Sequence, residues 1–264
     1  MMKDELGKRM KEFYENRTRI LLPRRTYTII RIDGKAFHTY TSGLNEPFDE
    51  GLINDMDETA CYLCKNIQGA KFGFVQSDEI SILVTDFEKI TTDAWFDGNI
   101  QKIVSISASM ATSRFNHLRI KRIIDESVRV EGNSVLVKPY TNDILEIKLA
   151  EFDARTFTIP SKVEVENYFI WRQQDTVRNS ISSVAQYHYS HNELRYKSTN
   201  QMQEMIFEKG QNWNDYPVKH KRGRFIEKQM YDKDGAVRSK WISVDCPTFT
   251  QDREFLSTRI PDLL

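Results

Sequence analysis

Apolar residues at Leu6, Met10 and Phe13 recur at helical spacing, which predicts an amphipathic helix over residues 3–18. Residues 26–33 (TYTIIRID) are rich in β-branched side chains and predict a buried strand closed by Gly34. Residues 36–46 read as loop. Pro47 then opens a helix to about residue 66, with Leu52, Ile53, Met56, Ala60 and Leu63 on one face. Residues 71–76 and 80–85 predict two strands, joined through Ser77-Asp78-Glu79 by a link short enough for a hairpin. Helical spacing follows over residues 88–116. Residues 128–130 and 134–137 flank Gly132-Asn133, a hairpin turn signal. Residues 152–159 predict one more strand, ended by Pro160. From about residue 162 the chain reads mostly as helices, with a mixed C-terminal segment.

With residues 118–150 set aside as an insertion, the order is strand, helix, strand, strand, helix, strand. That is the split βαβ, ferredoxin-like order of an α+β fold. It implies a four-stranded antiparallel sheet with two helices on one face and the other face open for a substrate. The expected organisation is a catalytic domain over 1–160 and a helical and mixed region over 161–264.

Lys and Arg together number 38, as do Asp and Glu, so the formal net charge of the 264-residue chain is +0. This excludes a generally polyanion-coating protein but leaves room for a local basic stripe. No apolar run is long enough to span a bilayer, and Met1-Met2-Lys3-Asp4-Glu5 lacks an apolar signal core. Three cysteines are too few and odd in number for a disulfide framework, so a reducing cytoplasm is expected. Cys61 and Cys64 fall inside a predicted helix and read as buried thiols.

The candidate chemistry lies at two strand ends. Asp33-Gly34 closes the first strand, and Ser77-Asp78-Glu79 precedes the third. In the split βαβ order these strands are central neighbours, so antiparallel pairing brings the two ends together. Two converging hard oxygen anions suit a magnesium pair for phosphoryl transfer, although ordinary turn carboxylates would show the same spacing. Gly34 lets the backbone approach a metal or phosphate closely. After it, residues 34–38 (GKAFH) can form an anion nest. Phe37 is free to stack on a base or to be buried, and His38 to donate to a phosphate. Lys219-His220-Lys221-Arg222-Gly223-Arg224 is the densest basic run, either a phosphate contact or a solvated loop. Arg119, Lys121 and Arg122 form a weaker cluster. Tyr187-His188-Tyr189 reads as helix packing before base stacking.

Residues 31–41 (RIDGKAFHTYT) and 74–84 (FVQSDEISILV) resemble the two signature blocks of the tRNA-His guanylyltransferase family. FDAR at 152–155, WRQQD at 171–175 and KRG at 221–223 resemble later blocks in the same order. The resemblance implies a polymerase-palm-like domain that adds nucleotides to tRNA 5′ ends in the 3′-to-5′ direction, after activation of that end by ATP or GTP. It implies Asp33 and Asp78 as side-chain ligands of two Mg2+ ions, with the Gly34 carbonyl as a further ligand. It places the triphosphate against Asp33, Gly34, Lys35, Ala36, Phe37, His38, Ser77 and Asp78, and gives Glu79 a catalytic position of less defined role. Lys35 and Arg155 become phosphate candidates, because Glu46 stands where many members carry Lys. Arg178, Asn179, Lys219, Lys221, Arg222 and Arg224 become candidate tRNA or phosphate contacts. Members devoted to tRNA-His carry a His-Ile-Asn-Asn-type motif where this chain has Val177-Arg178-Asn179-Ser180. The expected function is therefore template-dependent repair of tRNA 5′ ends by a homotetramer that uses ATP, GTP and other nucleoside triphosphates. The alternatives are a dedicated tRNA-His enzyme, a palm-type nucleotide cyclase and a non-catalytic RNA-binding module.

Overall fold

The computed structural model describes residues 5–131, 134–137 and 147–263. The first predicted helix is α1 (Glu5–Phe13), followed by a 3-10 turn at Glu15–Thr18, and no residue of either is buried. Its apolar stripe of Leu6, Met10 and Phe13 faces solvent. β1 (Tyr27–Gly34) forms as its β-branched run predicts, with Tyr27, Ile29, Ile30 and Ile32 buried. One helical turn, α2 (Phe37–Tyr40), replaces part of the expected loop. α3 (Glu50–Asn66) starts after Pro47 because Asp49 caps it, accepting from the Leu52 amide at 2.7 Å.

β2 (Ala70–Gln76) and β3 (Glu79–Val84) pair antiparallel as a tight hairpin, with Gln76 opposite Glu79. The helix expected over 88–116 is displaced. α4 (Ile100–Ser127) begins at Ile100, because Phe96 and Asp97 take left-handed backbone and break any earlier helix. It then runs past residue 116. β4 (Val128–Glu131) and β5 (Ser134–Val137) pair as expected. Their Gly132-Asn133 turn lies outside the described residues. β6 (Phe152–Ile159) precedes α5 (Lys162–His188), whose start is capped by Ser161. Then come α6 (His191–Leu194), α7 (Thr199–Glu208), α8 (Val218–Lys221), β7 (Arg224–Lys233), β8 (Ala236–Asp245) and α9 (Arg253–Ser257).

The main sheet runs β6-β1-β3-β2-β7-β8. Its first four strands are the ferredoxin-like set, and every pairing is antiparallel. Two corrections follow. The sheet has six strands, since β7 adds to the β2 edge through Gly73–Ile226, Phe74–Phe225 and Val75–Arg224 pairs. The expected boundary at residue 160 therefore divides a chain whose two parts share one sheet. The face expected to be open is also covered. Ile30, Ile32, Ile80 and Ile82 pack on α3 and α4, as predicted. On the opposite face Ile29, Phe72, Phe74 and Leu83 meet Val165 and Phe169 of α5 and Leu256 of α9. Two-sided apolar strands demand this: leaving an Ile or Phe side chain in water forgoes roughly 1.5–3 kcal/mol each. The site must then lie at the end of the strands, beyond the covering helix. Among the described residues no helix is long and apolar enough to cross a membrane.

Candidate active site

β1 and β3 end together. Asp33 lies opposite Glu79 on one side and opposite Asp153 of β6 on the other. Ser77, at φ 44°, turns the chain so that Asp78 sits beside Asp33. Asp33 and Asp78 are both half-buried. Burial pushes the Asp78 carboxyl up to about 6, and the Asp33 charge adds to the rise. Gly34 is required on steric grounds, because a Cβ there would collide with the Phe37 ring. Ala36 is left-handed at φ 51°, an uncommon conformation for a residue with a Cβ, and it starts α2. The amides of residues 36–38, at that helix start, need acceptors from outside the helix.

Beneath these acids lies an ionic chain, buried at Glu79 and Arg172, that sequence spacing did not disclose. Glu79 is bound by Arg31 at 2.5 Å and by Arg172 at 2.9 Å, and it accepts from Ser81 at 3.3 Å. Ser81 shares a 2.8 Å hydrogen bond with Tyr168, whose hydroxyl burial pushes up to about 12. Arg172 continues to Asp175 at 2.6 Å, and Asp175 to Arg178 at 2.8 Å. Arg155 reaches Asp33 at 3.8 Å and Asp153 at 3.4 Å, half exposed above the strand ends. The alternation of β6 puts Asp153 and Arg155 on one face, and that period was the available signal for Asp153. Arg31 was equally accessible, as it lies two residues from Asp33 on the same strand face.

The remaining candidates divide. Phe37 is buried against Tyr40, Phe115 and Phe152, so its ring is not available to stack on a base. Lys35 lies at the surface, paired with Glu151 at 2.5 Å. Ser77, His38, Arg178 and Asn179 are exposed. The basic run is not a solvated loop. Lys221 is buried, donates to the Asn214 carbonyl at 2.5 Å and lies over Trp213. Arg224 is buried on Asp57 at 2.7 Å, and Lys219 pairs with Glu50 at 2.6 Å. Lys221 and Arg224 are thus withdrawn from the expected phosphate role, while Arg222 is half-buried. Arg119 and Arg122 likewise hold the buried Asp55. Cys64 is buried and Cys61 pushed up to about 12 by burial, the state of inert thiols. His188 bonds Gln211 and Tyr189 the Met205 carbonyl, which is helix packing.

Among the described residues no cluster of three or more His, Cys, Asp or Glu side chains is placed to hold a metal. Asp33 and Asp78 are a pair, and the Asp33 charge adds to the burial that raises the Asp78 carboxyl. A magnesium ion needs no more from a protein than one or two carboxylates, with waters and substrate phosphates completing the shell.

With this geometry, the family model for tRNAHis guanylyltransferase (Thg1) matches residues 7–160. The chain belongs to the Thg1 family. A bacterial Thg1-like protein in complex with ATP is 44% identical, with a TM-score of 0.78 over 97% of this chain and 99% of that one. The Saccharomyces cerevisiae tRNA(His) guanylyltransferase structure shares the fold at 22% identity and a TM-score of 0.63, over 86% of this chain and 93% of that one. An uncharacterized mimivirus protein, R259, is 30% identical over 90% of this chain and 82% of its own length. Membership makes the protein a nucleotidyltransferase that acts at the 5′ end of tRNA. It sets aside the cyclase and the non-catalytic binding module.

Proposed function

We propose that the protein repairs tRNA 5′ ends by template-directed, 3′-to-5′ nucleotide addition. The observation that carries this is the adjacency of Asp33 and Asp78 at two neighbouring strand ends. Asp33, Asp78 and the Gly34 carbonyl would hold two Mg2+ ions. Bound there, the metal supplies charge neutralisation for a triphosphate and for the attacking and leaving oxygens of an in-line transfer.

The residues around it orient and neutralise. The amides at 36–38, with Lys35, His38 and Ser77, cradle the triphosphate. Arg155 is held loosely by two carboxylates and can turn to a phosphate. In the first step a 5′-phosphate oxygen of tRNA attacks the α-phosphorus of ATP or GTP, and pyrophosphate leaves. In the second step the 3′-hydroxyl of an incoming nucleoside triphosphate attacks the activated 5′-phosphate. It loses its proton, and the nucleoside monophosphate leaves. Glu79, fully engaged by Arg31 and Arg172, positions the Asp78 turn and binds no substrate.

Repair is favoured over dedicated tRNA-His service by the stretch after Asp175. Val177 packs inward with Ile181 and Trp213, and Ser180 is buried, accepting from the Trp213 indole at 3.0 Å. Arg178 and Asn179 alone remain exposed there to read RNA. Base readout in a loop needs several hydrogen-bonding groups, so selectivity falls to pairing with the opposing strand. The greater identity to the Thg1-like protein than to the yeast enzyme supports the same reading. The exposed stripe of α1 supports a self-associating enzyme, proposed as a homotetramer, and tRNA as substrate supports a cytoplasmic location.

The test incubates tRNAs lacking their 5′ nucleotide with each triphosphate in turn and sequences the 5′ ends. Watson–Crick-matched addition on several tRNA identities is expected. Asp33→Ala and Asp78→Ala should each cost about 10³-fold or more in turnover with the fold retained. Preference for untemplated G on tRNA-His, lost when its anticodon is changed, would return the protein to the dedicated class.

A further inference from the structure

β7 and β8 are longer than the sheet that carries them. Residues 224–226 pair with β2, and from Glu227 onward β7 pairs with β8 alone. The hairpin closes at Asp234-Gly235, both left-handed, a two-residue turn suited to the twist of the strands. Residues 228–240 are all exposed. At about 3.3 Å per residue the tip stands roughly 35 Å from the row that contains Asp33 and Glu79.

The charges on this arm are sorted by face. Register places Arg238 opposite Tyr231 and Lys240 opposite Gln229, with Lys233 two residues beyond Tyr231 on the same face. Alternation through Phe225 and Phe74 makes this the face on which Asp33 also lies. Its one acid, Glu227, is already paired with Arg259 at 2.9 Å. Lys233, Arg238 and Lys240 have no carboxylate partner among the described residues, unlike Arg172, Lys219 and Arg224. Lys240 lies over the Tyr231 ring at 5.7 Å, which holds its ammonium on that face. The opposite face carries Met230, Val237 and one cation, Lys228, whose charge Asp232 on the same face offsets. Charges that served only to keep an edge strand soluble would have no reason to gather three unpaired cations on one face and leave the other balanced.

We propose that the β7–β8 arm is a second tRNA contact, in which Lys233, Arg238 and Lys240 bind backbone phosphates of the tRNA body away from the reacting end. This rests on tRNA being the substrate. The occupant follows from charge: three unpaired cations at strand spacing face the same side as the acids and match a polyphosphate ridge. The arm supplies affinity that does not depend on base identity, which suits an enzyme serving several tRNAs.

The test measures tRNA affinity against salt for the wild type, for Lys233→Ala/Arg238→Ala/Lys240→Ala, and for Lys228→Ala on the opposite face. The triple variant should lower the slope of log affinity against log salt by about 2–3 and raise Kd roughly 10- to 100-fold at 0.1 M salt. Lys228→Ala should move neither beyond twofold. The melting temperature of the triple variant should match the wild type, since its targets make no buried contact. An unchanged slope in a variant of normal stability overturns the arm as an RNA contact while leaving the proposed activity standing. A change in sedimentation mass without a change in slope overturns it in favour of a protein partner. Wild-type protein that binds no tRNA overturns both this inference and the proposed activity.

Discussion

Asp78 carries a carboxyl pushed up to about 6 from an ordinary 3.8, first by burial and then by its neighbour Asp33. A carboxylate raised in the folded state binds its proton more tightly there than in the unfolded chain. Its contribution to stability is therefore full below about pH 4 and is lost as pH rises through 6. At neutral pH the ionised group costs on the order of 1–2 kcal/mol after allowance for its partial exposure. Asp78→Asn should abolish activity yet raise Tm at pH 7.5 in EDTA, and it should flatten the fall in stability between pH 4 and 6 that the raised carboxyl predicts for the wild type. Thermal melts across pH decide it, and a lower Tm at pH 7.5 would refute the strained pair. The adjacent acid should behave in the opposite way. Glu79→Gln leaves the largely buried Arg31 without a counter-charge and Arg172 with Asp175 alone, a loss of about 3 kcal/mol. Its Tm should fall sharply, and denaturant titration would give the size.

The element that most changes the sequence reading is the α8–β7 junction. Gly223 has φ 79°, and a Cβ there would press on the Phe74 ring and the Val75 carbonyl. This junction turns the chain from α8 into the strand that extends the sheet, and it draws Lys221 and Arg224 into the interior. Gly223→Ala should cost more than about 2 kcal/mol, through both backbone strain and collision. The measurement is urea unfolding of the purified variant. A loss below about 0.5 kcal/mol would mean that the junction is not fixed as described.

At the scale of the molecule, α5 joins the two halves. Its first half covers the sheet through Val165, Phe169 and Arg172, and its second half packs against α6, α7 and α8 through Ile181, Val184 and Ala185. A fragment of residues 1–160 would expose Ile29, Phe72, Phe74 and Leu83 and the unpaired edge of β2. It should fail to show a cooperative melt and should aggregate, an outcome read by calorimetry and size-exclusion chromatography. A soluble, cooperatively melting fragment would restore residue 160 as a true domain boundary.

The order of strands and helices up to residue 160 was legible in the chain because periodicity and turn residues are local properties, while β7 and β8 were not read as strands. Residues 26–34, 70–85 and 152–159 carry their own β-branched runs, and the ferredoxin-like order follows from them. Asp33, Gly34 and Asp78 were legible for a related reason: each sits at a strand end that local signals mark, and pairing of the central strands does the rest. Tertiary structure decided what depends on partners remote in the chain. Whether Lys221 and Arg224 meet solvent depends on Asn214 and Asp57, and whether Phe37 can stack depends on Phe115 and Phe152. Glu79 acquires its role from Arg172, which lies on a different element. A charged or aromatic side chain has the same local pattern whether it is solvated or buried, because burial is fixed by the three-dimensional arrangement of its neighbours and not by its own spacing.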